Sequence, residues 1–432
     1  KTTAKKATKK KTTAKKATKK KTTAKKATTV LFVPETTEAV RATPAFDPGP
    51  ALPAWEQVGR SPRRDGVVQI RLDPPLEVLW EADLPSEGHT EPVVSRDGVL
   101  YVADRDGGLH AFDADSGEPR EESLHTDPIR EASPAWPLVA AGHVPADGVP
   151  VSAPPALSGW LLLFGDDEGV FYCVRRGAGE VLWRKLSSLE LSARSGPAYQ
   201  APLSARGDVF VACADGHVYG ADARSGRAYY RIFLRGAPTA PVALGSGRLL
   251  IATRPLFKGE SPRLHALRPE SGERLWHRDL RAEARCLAIA KDDVILGGEA
   301  GVFAYDVHHG APRWSLGPEQ LGGPLTGGLA LERWRGYAAR SDGVVAFDVS
   351  SGQVAWSQPS GLKTELGGVS FAGGVVWAAA GRTLLAFDAE EGRPLGKHTL
   401  PSAVVGAPIP AWGNLYVTTE RGGVLALAPE PY

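Results

Sequence analysis

From residue 98 to the C-terminus one motif recurs eight times: an apolar strand opened by Gly or Asp, a short polar turn, then a second strand running into a glycine-terminated turn. The second strands with their turns read LHAFDADSGE (109–118), FYCVRRGAGE (171–180), VYGADARSGR (218–227), LHALRPESGE (264–273), VFAYDVHHGA (302–311), VVAFDVSSGQ (344–353), LLAFDAEEGR (384–393) and the truncated VLALAPEPY (424–432). Each follows a β-rich partner, such as GVLYVAD, GDVFVACAD or GNLYVTT. Asp106-Gly107, Asp215-Gly216 and Asp342-Gly343 lie between several of the pairs, which is hairpin chemistry. A repeat this short cannot bury a face alone, so the body reads as one stacked array before it is divided into domains.

A further short apolar stretch precedes the pairs, for example EPVVS (91–95), APLSA (201–205), APVALG (240–245) and APIPAW (407–412). After the closing glycine a fourth strand begins, with Trp183, Trp276, Trp314 and Trp356 four residues beyond Gly179, Gly272, Gly310 and Gly352. Four strands every 38 to 62 residues is the period of a β-propeller blade. The slot at Ala111 recurs as Cys173, Gly220, Ala266, Ala304, Ala346, Ala386 and Ala426, all small, so something large packs there, and the tryptophan column is the natural candidate. The closing column, Gly117, Gly179, Gly226, Gly272, Gly310, Gly352 and Gly392, is what a turn requiring positive φ selects.

The eighth copy stops at Tyr432 without a tryptophan strand, whereas LEVLW (76–80) reads as a fourth strand ending in Trp80 with no partners before it. Adding this N-terminal strand to the last blade closes the ring and removes exposed edges. The expected fold class is therefore all-β: an eight-bladed β-propeller of four antiparallel strands per blade over residues 67–432. A Pro-rich linker and lead-in (29–66) and a disordered arm (1–28) precede it.

Charge separates that arm from the ring. KTTAKKATKK stands at 1–10, repeats at 11–20 and restarts at 21, so the first 28 residues hold 13 lysines and no acid. Removing those 13 from the 51 basic residues leaves 38 against 49 acids, roughly −11 on the body. Cys173, Cys213 and Cys286 are well separated and form no CxxC, which fits a reducing compartment. No run of 18 apolar residues exists to span a membrane. The chain has no methionine, even at position 1, so it reads as a processed product; the cytoplasm is the expected compartment unless a signal peptide precedes Lys1, which would move it to the envelope.

The stretch GVLYVADRDGGLHAFDADSGE, the Gly-x-x-x-Trp spacing and the lead-in WEQVGRSPRRDG (55–66) together resemble the pyrroloquinoline-quinone-like propeller repeat, nearly end to end along the body. The resemblance implies an eight-bladed ring and two functional branches. One is the quinoprotein dehydrogenases, which hold a quinone and a calcium on the propeller axis; the other is non-enzymatic relatives such as the barrel-assembly lipoprotein of the bacterial outer membrane. The dehydrogenases typically carry a vicinal Cys-Cys ring and long decorations supplying an Asp base and Glu and Asn calcium ligands. This chain has no adjacent cysteines, and its blades from 273 to 432 are tight. The resemblance therefore assigns no catalytic, cofactor or metal residue here.

The chemically suggestive side chains have plainer readings. His110 and His265 share a register also filled by Tyr172, Tyr219, Phe303, Val345, Leu385 and Leu425, which marks a packing site. His308-His309 sit in a closing turn without the third ligand that zinc needs. Cys173 and Cys213 read as small buried hydrophobes. No GxSxG, HExxH, P-loop or GxGxxG is present. Two insertions, 121–150 with Trp136 beside Pro137 and PLFKGESP (255–262), are the long loops on which partners bind or which cover a blade edge.

Lys1, Lys5, Lys6, Lys9, Lys10, Lys11, Lys15, Lys16, Lys19, Lys20, Lys21, Lys25 and Lys26 make the arm too polar to fold alone. It resembles the Lys/Ala-rich tails of linker histones and of some bacterial histone-like proteins. With no aromatics and no arginine, its contact with DNA or another polyanion would be sequence-independent and salt-sensitive; anionic lipid, an acidic partner or a plain solubilising extension are the alternatives. The expected function is thus a non-enzymatic interaction scaffold that binds a protein partner through a ring face or the insertion loops, with no cofactor and no membrane-spanning segment. A quinone-dependent oxidoreductase and an envelope assembly scaffold are the alternatives.

Overall fold

A computed structural model describes residues 54–429 except 89, 121–137, 140–149, 152, 168, 178 and 187–198. The lysine arm, most of the linker and most of the 121–150 insertion lie outside the described residues.

Eight sheets follow one another along the chain. Their inner strands are Val93–Val94, Ala156–Ser158, Leu203–Ala205, Ala243–Gly245, Cys286–Ala290, Leu325–Glu332, Leu366–Ala372 and Val404–Ala411, which number the blades 1 to 8. Each continues through antiparallel second and third strands, as in Arg335–Arg340 and Gly343–Asp348 of blade 6, to an outer strand. The second and third strands are apolar on both sides, because each blade is packed between two others. Val99–Ala103 and Val344–Phe347 are buried throughout. Outer strands alternate instead, as in Ala228–Phe233, since only one side meets the ring. The core is accordingly a ring of clusters between neighbouring blades, for instance Tyr337 and Ala346 of blade 6 with Phe371 and Trp377's neighbour Ala378 of blade 7.

The ring closes as the sequence predicts. Leu76–Asp83 pairs antiparallel with Gly423–Pro429 and supplies the outer strand of blade 8, with Trp80 opposite Ala426. Closure is also the site of the cluster that unites blades 7, 8 and 1, which includes Trp55, Leu72, Leu76, Trp80, Trp377 and Tyr416. Two blades depart from the four-strand pattern: Gly236–Pro238 adds to blade 4 and Val67–Val68 adds in parallel to blade 7.

Each tryptophan of the repeat does two jobs. Across its own sheet it faces the small column, Trp183 opposite Cys173, Trp276 opposite Ala266, Trp314 opposite Ala304 and Trp356 opposite Ala346. A one-residue bulge just before it in every one of these strands turns the indole onto that face. The same indole then reaches the next blade. Nε1 of Trp80, Trp183, Trp276, Trp314 and Trp356 donates to the carbonyls of Ala114, Ala223, Val307, Val349 and Ala389 at 2.9 to 3.1 Å.

The closing glycines therefore have two causes. All seven have φ between 60° and 74°. A Cβ on Gly117, Gly226, Gly310, Gly352 or Gly392 would also come within 2.4 to 2.7 Å of the preceding blade's indole. Blade 3 substitutes Tyr230, which packs on Gly272. Blade 7 has Gly396 in the tryptophan slot, opposite Ala386, and Pro74 lies against it. It precedes blade 8, which contributes no glycine to the closing column among the described residues.

Candidate functional site

An inner strand of a propeller leaves one backbone edge facing the axis, and unpaired N–H groups there would be costly. In this chain the lead-in deals with them blade by blade. The N–H groups of Val94, Leu157, Leu244, Ile289, Leu331 and Phe371 donate to the carbonyls of Trp55, Glu56, Pro62, Arg63, Asp65 and Gly66 at 2.7 to 3.1 Å. In blade 3 a side chain stands in: Ser204 N–H donates to Gln57 Oε1 at 3.1 Å, and Gln57 Nε2 donates back to the Ser204 carbonyl at 3.4 Å. Twelve residues thus visit blades 1 to 7 in order before the chain becomes the outer strand of blade 8. The lead-in runs around the mouth of the ring, on the face that carries the turns between inner and second strands.

The loop from Gly59 to Gly66 holds non-glycine residues in the left-handed region, Arg60 at φ 65° and Arg64 at φ 60°, a strain that only a surrounding network maintains. For Arg64 that network is explicit. Its buried guanidinium donates from Nε to the Val242 carbonyl at 2.9 Å, from Nη2 to those of Ala201 and Pro202 at 3.2 and 3.0 Å, and from Nη1 to Val58 at 2.5 Å. Burial lowers it to about 9, opposed by the charge of Glu91.

Glu91 lies at the start of the blade 1 inner strand and reaches blade 8, where Ala407 N–H donates to its Oε1 at 2.7 Å. A Cβ on Gly406 would come within 2.2 Å of the same oxygen. Part of its side chain stays open, yet its carboxyl is surrounded by protein. Burial raises it to about 7 against the opposing pull of Ala407 and Arg64. Asp65, in the lead-in, is also raised by burial, and its Oδ1 has no hydrogen-bond partner.

Neither charge stands out as a motif, but a signal existed. EPVVS, APLSA, APVALG and APIPAW align so that Glu91 occupies the column of Ala201, Ala240 and Ala407. Arg64 lies within the WEQVGRSPRRDG lead-in, which gives no sign of which arginine turns inward.

The histidines and cysteines fall as follows. His110 is buried with Nε2 at 2.8 Å from Asp104 Oδ2, and His265 is buried with Nε2 at 3.2 Å from Thr253 Oγ1. Both tie a third strand to the end of the second strand in their own blade; burial lowers His265 to about 3. His308 and His309 stay in the closing turn, beside Asp292 and Asp306. Cys173 and Cys213 are buried, and burial pushes the Cys173 thiol up to about 12.

Among the described residues no group of three or more His, Cys, Asp or Glu converges to hold a metal ion. The lead-in buries the Arg64 guanidinium and the Gln57 amide against the inner strands. The described insertion, 255–262, carries an exposed Phe257 with the Arg235 guanidinium 4.6 Å from its ring centre and Arg235 paired to Glu260 at 2.7 Å.

The family model described as outer membrane protein assembly factor BamB matches residues 64–149, 144–317 and 340–430. The chain belongs to this family. The BamB crystal structure from Moraxella catarrhalis superposes with a TM-score of 0.63 at 14% identity, covering 82% of this chain and all of that one. A quinohemoprotein alcohol dehydrogenase from Comamonas testosteroni superposes at 0.62 and 14%, covering 88% and 81%, and the computationally designed Ika8 protein at 0.60 and 15%, covering 80% and 97%. At these identities the likeness is one of fold, shared by an assembly factor, an enzyme and a design. No curated protein sequence shows significant similarity to the chain.

Proposed function

We propose that this BamB-like propeller is a non-enzymatic interaction scaffold that binds a protein partner on the mouth face. The carrying observation is that the chain's own lead-in occupies the mouth, hydrogen-bonded to seven inner strands, while large aromatics stand exposed on the turns around it. Trp334 is 59% exposed with Lys291 Nζ 3.4 Å from its ring centre. Trp160 is 44% exposed with Arg175 and Arg224 at 5.6 and 5.7 Å. Aromatic and arginine side chains presented on rigid turns are the groups that anchor protein interfaces. Membership of a family described by an assembly factor supports the same reading. No helix among the described residues is long and apolar enough to cross a membrane.

The test is a photo-crosslinking residue at Trp334, at Trp160 and, as a control, at the outer-strand position Lys397. Discrete adducts from the first two and not from Lys397 support the scaffold. Equal labelling at all three, or saturable uptake of pyrroloquinoline quinone with calcium, overturns it in favour of the oxidoreductase alternative. To the arm we assign a weaker, separate property: its 13 lysines supply non-specific affinity for polyanions such as DNA.

A further inference from the structure

Beside the lead-in a groove of about 560 Å³ opens on the mouth face between the inner-strand turns of blades 2 and 3. Three guanidinium groups line it: Arg60 from the lead-in, Arg96 from the turn of blade 1 and Arg206 from the turn of blade 3. The one carboxylate in its wall is Glu56, 3.5 Å from Arg96. Arg60 and Arg206 form no ion pair within 4 Å among the described residues, although the charge of Arg60 acts on the Asp65 carboxyl. Arg60 Nε is itself covered by protein and has no hydrogen-bond acceptor among the described residues, which costs free energy. Both arginines are held at positive φ, 65° and 55°, so the backbone fixes where they stand.

We propose that this groove binds an acidic peptide segment of a partner, a reading that rests on the scaffold function and specifies its partner. The carboxylates of the segment pair with Arg60, Arg96 and Arg206. An apolar side chain of the segment meets Leu157 and Pro62 in the groove or stacks on Trp160, which follows directly from the groove residue Gly159. Trp160 is already flanked by two arginines, so the rim repeats the chemistry of the groove. A peptide fits better than a nucleic acid because the body around the groove carries roughly −11. A long phosphate backbone would leave the positive groove and meet that field, whereas a short acidic segment ends within it.

The experiment uses the full-length chain with the 13 arm lysines replaced by glutamine, so that the arm does not compete. A short fluorescein-labelled peptide alternating glutamate and phenylalanine is titrated by anisotropy. Saturable binding that weakens about tenfold in the Arg60→Gln/Arg206→Gly double variant, and is unchanged in a control pair Arg281→Gln/Arg382→Gln, supports the groove. Equal weakening in both pairs, or none in either, overturns it. Should Arg60→Gln disturb the fold, the exposed pair Arg96→Glu/Arg206→Glu makes the same test. Full displacement of the peptide by millimolar inorganic phosphate would make the groove a small-anion site, and tighter binding of single-stranded DNA lost in the same variants would make it a nucleic-acid surface; either outcome overturns the peptide. No saturable binding of the peptide by the chain with its groove arginines intact, while the Trp334 adduct persists, sinks the groove alone and leaves the scaffold standing.

Discussion

The indole of Trp80 stands where a side chain on Gly117 would be. A Cβ there would come within 2.4 Å of the ring, and Trp80 Nε1 donates to Ala114, three residues before that glycine, at 2.9 Å. One residue comes from the strand before blade 1 and the other from the last turn of blade 1, so this contact joins the end of the ring to its beginning.

Gly117→Ala is therefore expected to be far more harmful than the same change at Gly207. Both glycines have positive φ, 72° and 87°, but nothing lies within 4 Å of a Cβ on Gly207. The Gly207 change carries only backbone strain, about 1 kcal/mol, whereas the Gly117 change adds displacement of a buried indole, for a total of about 3 kcal/mol. Urea unfolding of the two variants measures the gap; equal midpoints would refute the double role of the closing glycine.

Trp80→Phe keeps a ring against Gly117 and Ala426 but leaves the Ala114 carbonyl to Tyr416 OH alone, which donates to it at 3.0 Å. Because the acceptor retains one donor, the loss is that of one shared hydrogen bond plus some volume, about 1 to 2 kcal/mol. Trp80→Ala opens a cavity at the closure and costs about 4 kcal/mol. The comparison is made by denaturant midpoint, with unchanged far-ultraviolet dichroism as the check on the fold.

For the arm, replacing its lysines with glutamine in the full-length chain is expected to abolish DNA retention at low salt. The parent chain should lose retention steeply as salt rises, because each lysine–phosphate contact releases counterions. Equal retention by the two chains on a heparin or DNA column across a salt series removes the polyanion role.

The ring was legible because its constraints repeat. Seven closing turns, a small column opposite an aromatic one and a lone LEVLW strand each say the same thing from independent residues. The deeper reason for the glycine column was not legible, since the indole that fills its place comes from another blade, often some 35 residues away in sequence. The lead-in was hidden for a related reason. WEQVGRSPRRDG has no strand period, because six of its twelve carbonyls each serve a different blade. Glu91 was readable only as an exception to an alanine column, and Arg64 only from the carbonyls it meets.

The buried Glu91 carboxyl gives the ring a dependence on pH. Burial raises Glu91 to about 7 from an ordinary 4.5. Below 4.5 the carboxyl is protonated in both folded and unfolded chains. As pH rises from there towards 7, the unfolded chain releases its proton while the folded one keeps it, so this group's contribution to stability falls across that window. Glu91→Gln retains an acceptor for Ala407 N–H and has no proton to lose, so the variant lacks that fall. His265, lowered to about 3, works the other way: its contribution is complete above about 6.5 and is lost as pH falls below it. The expected result is a urea midpoint that declines more from pH 5 to pH 8 in the parent chain than in Glu91→Gln. The same decline in both would show that the carboxyl does not titrate there, and that Arg64 holds it ionised throughout.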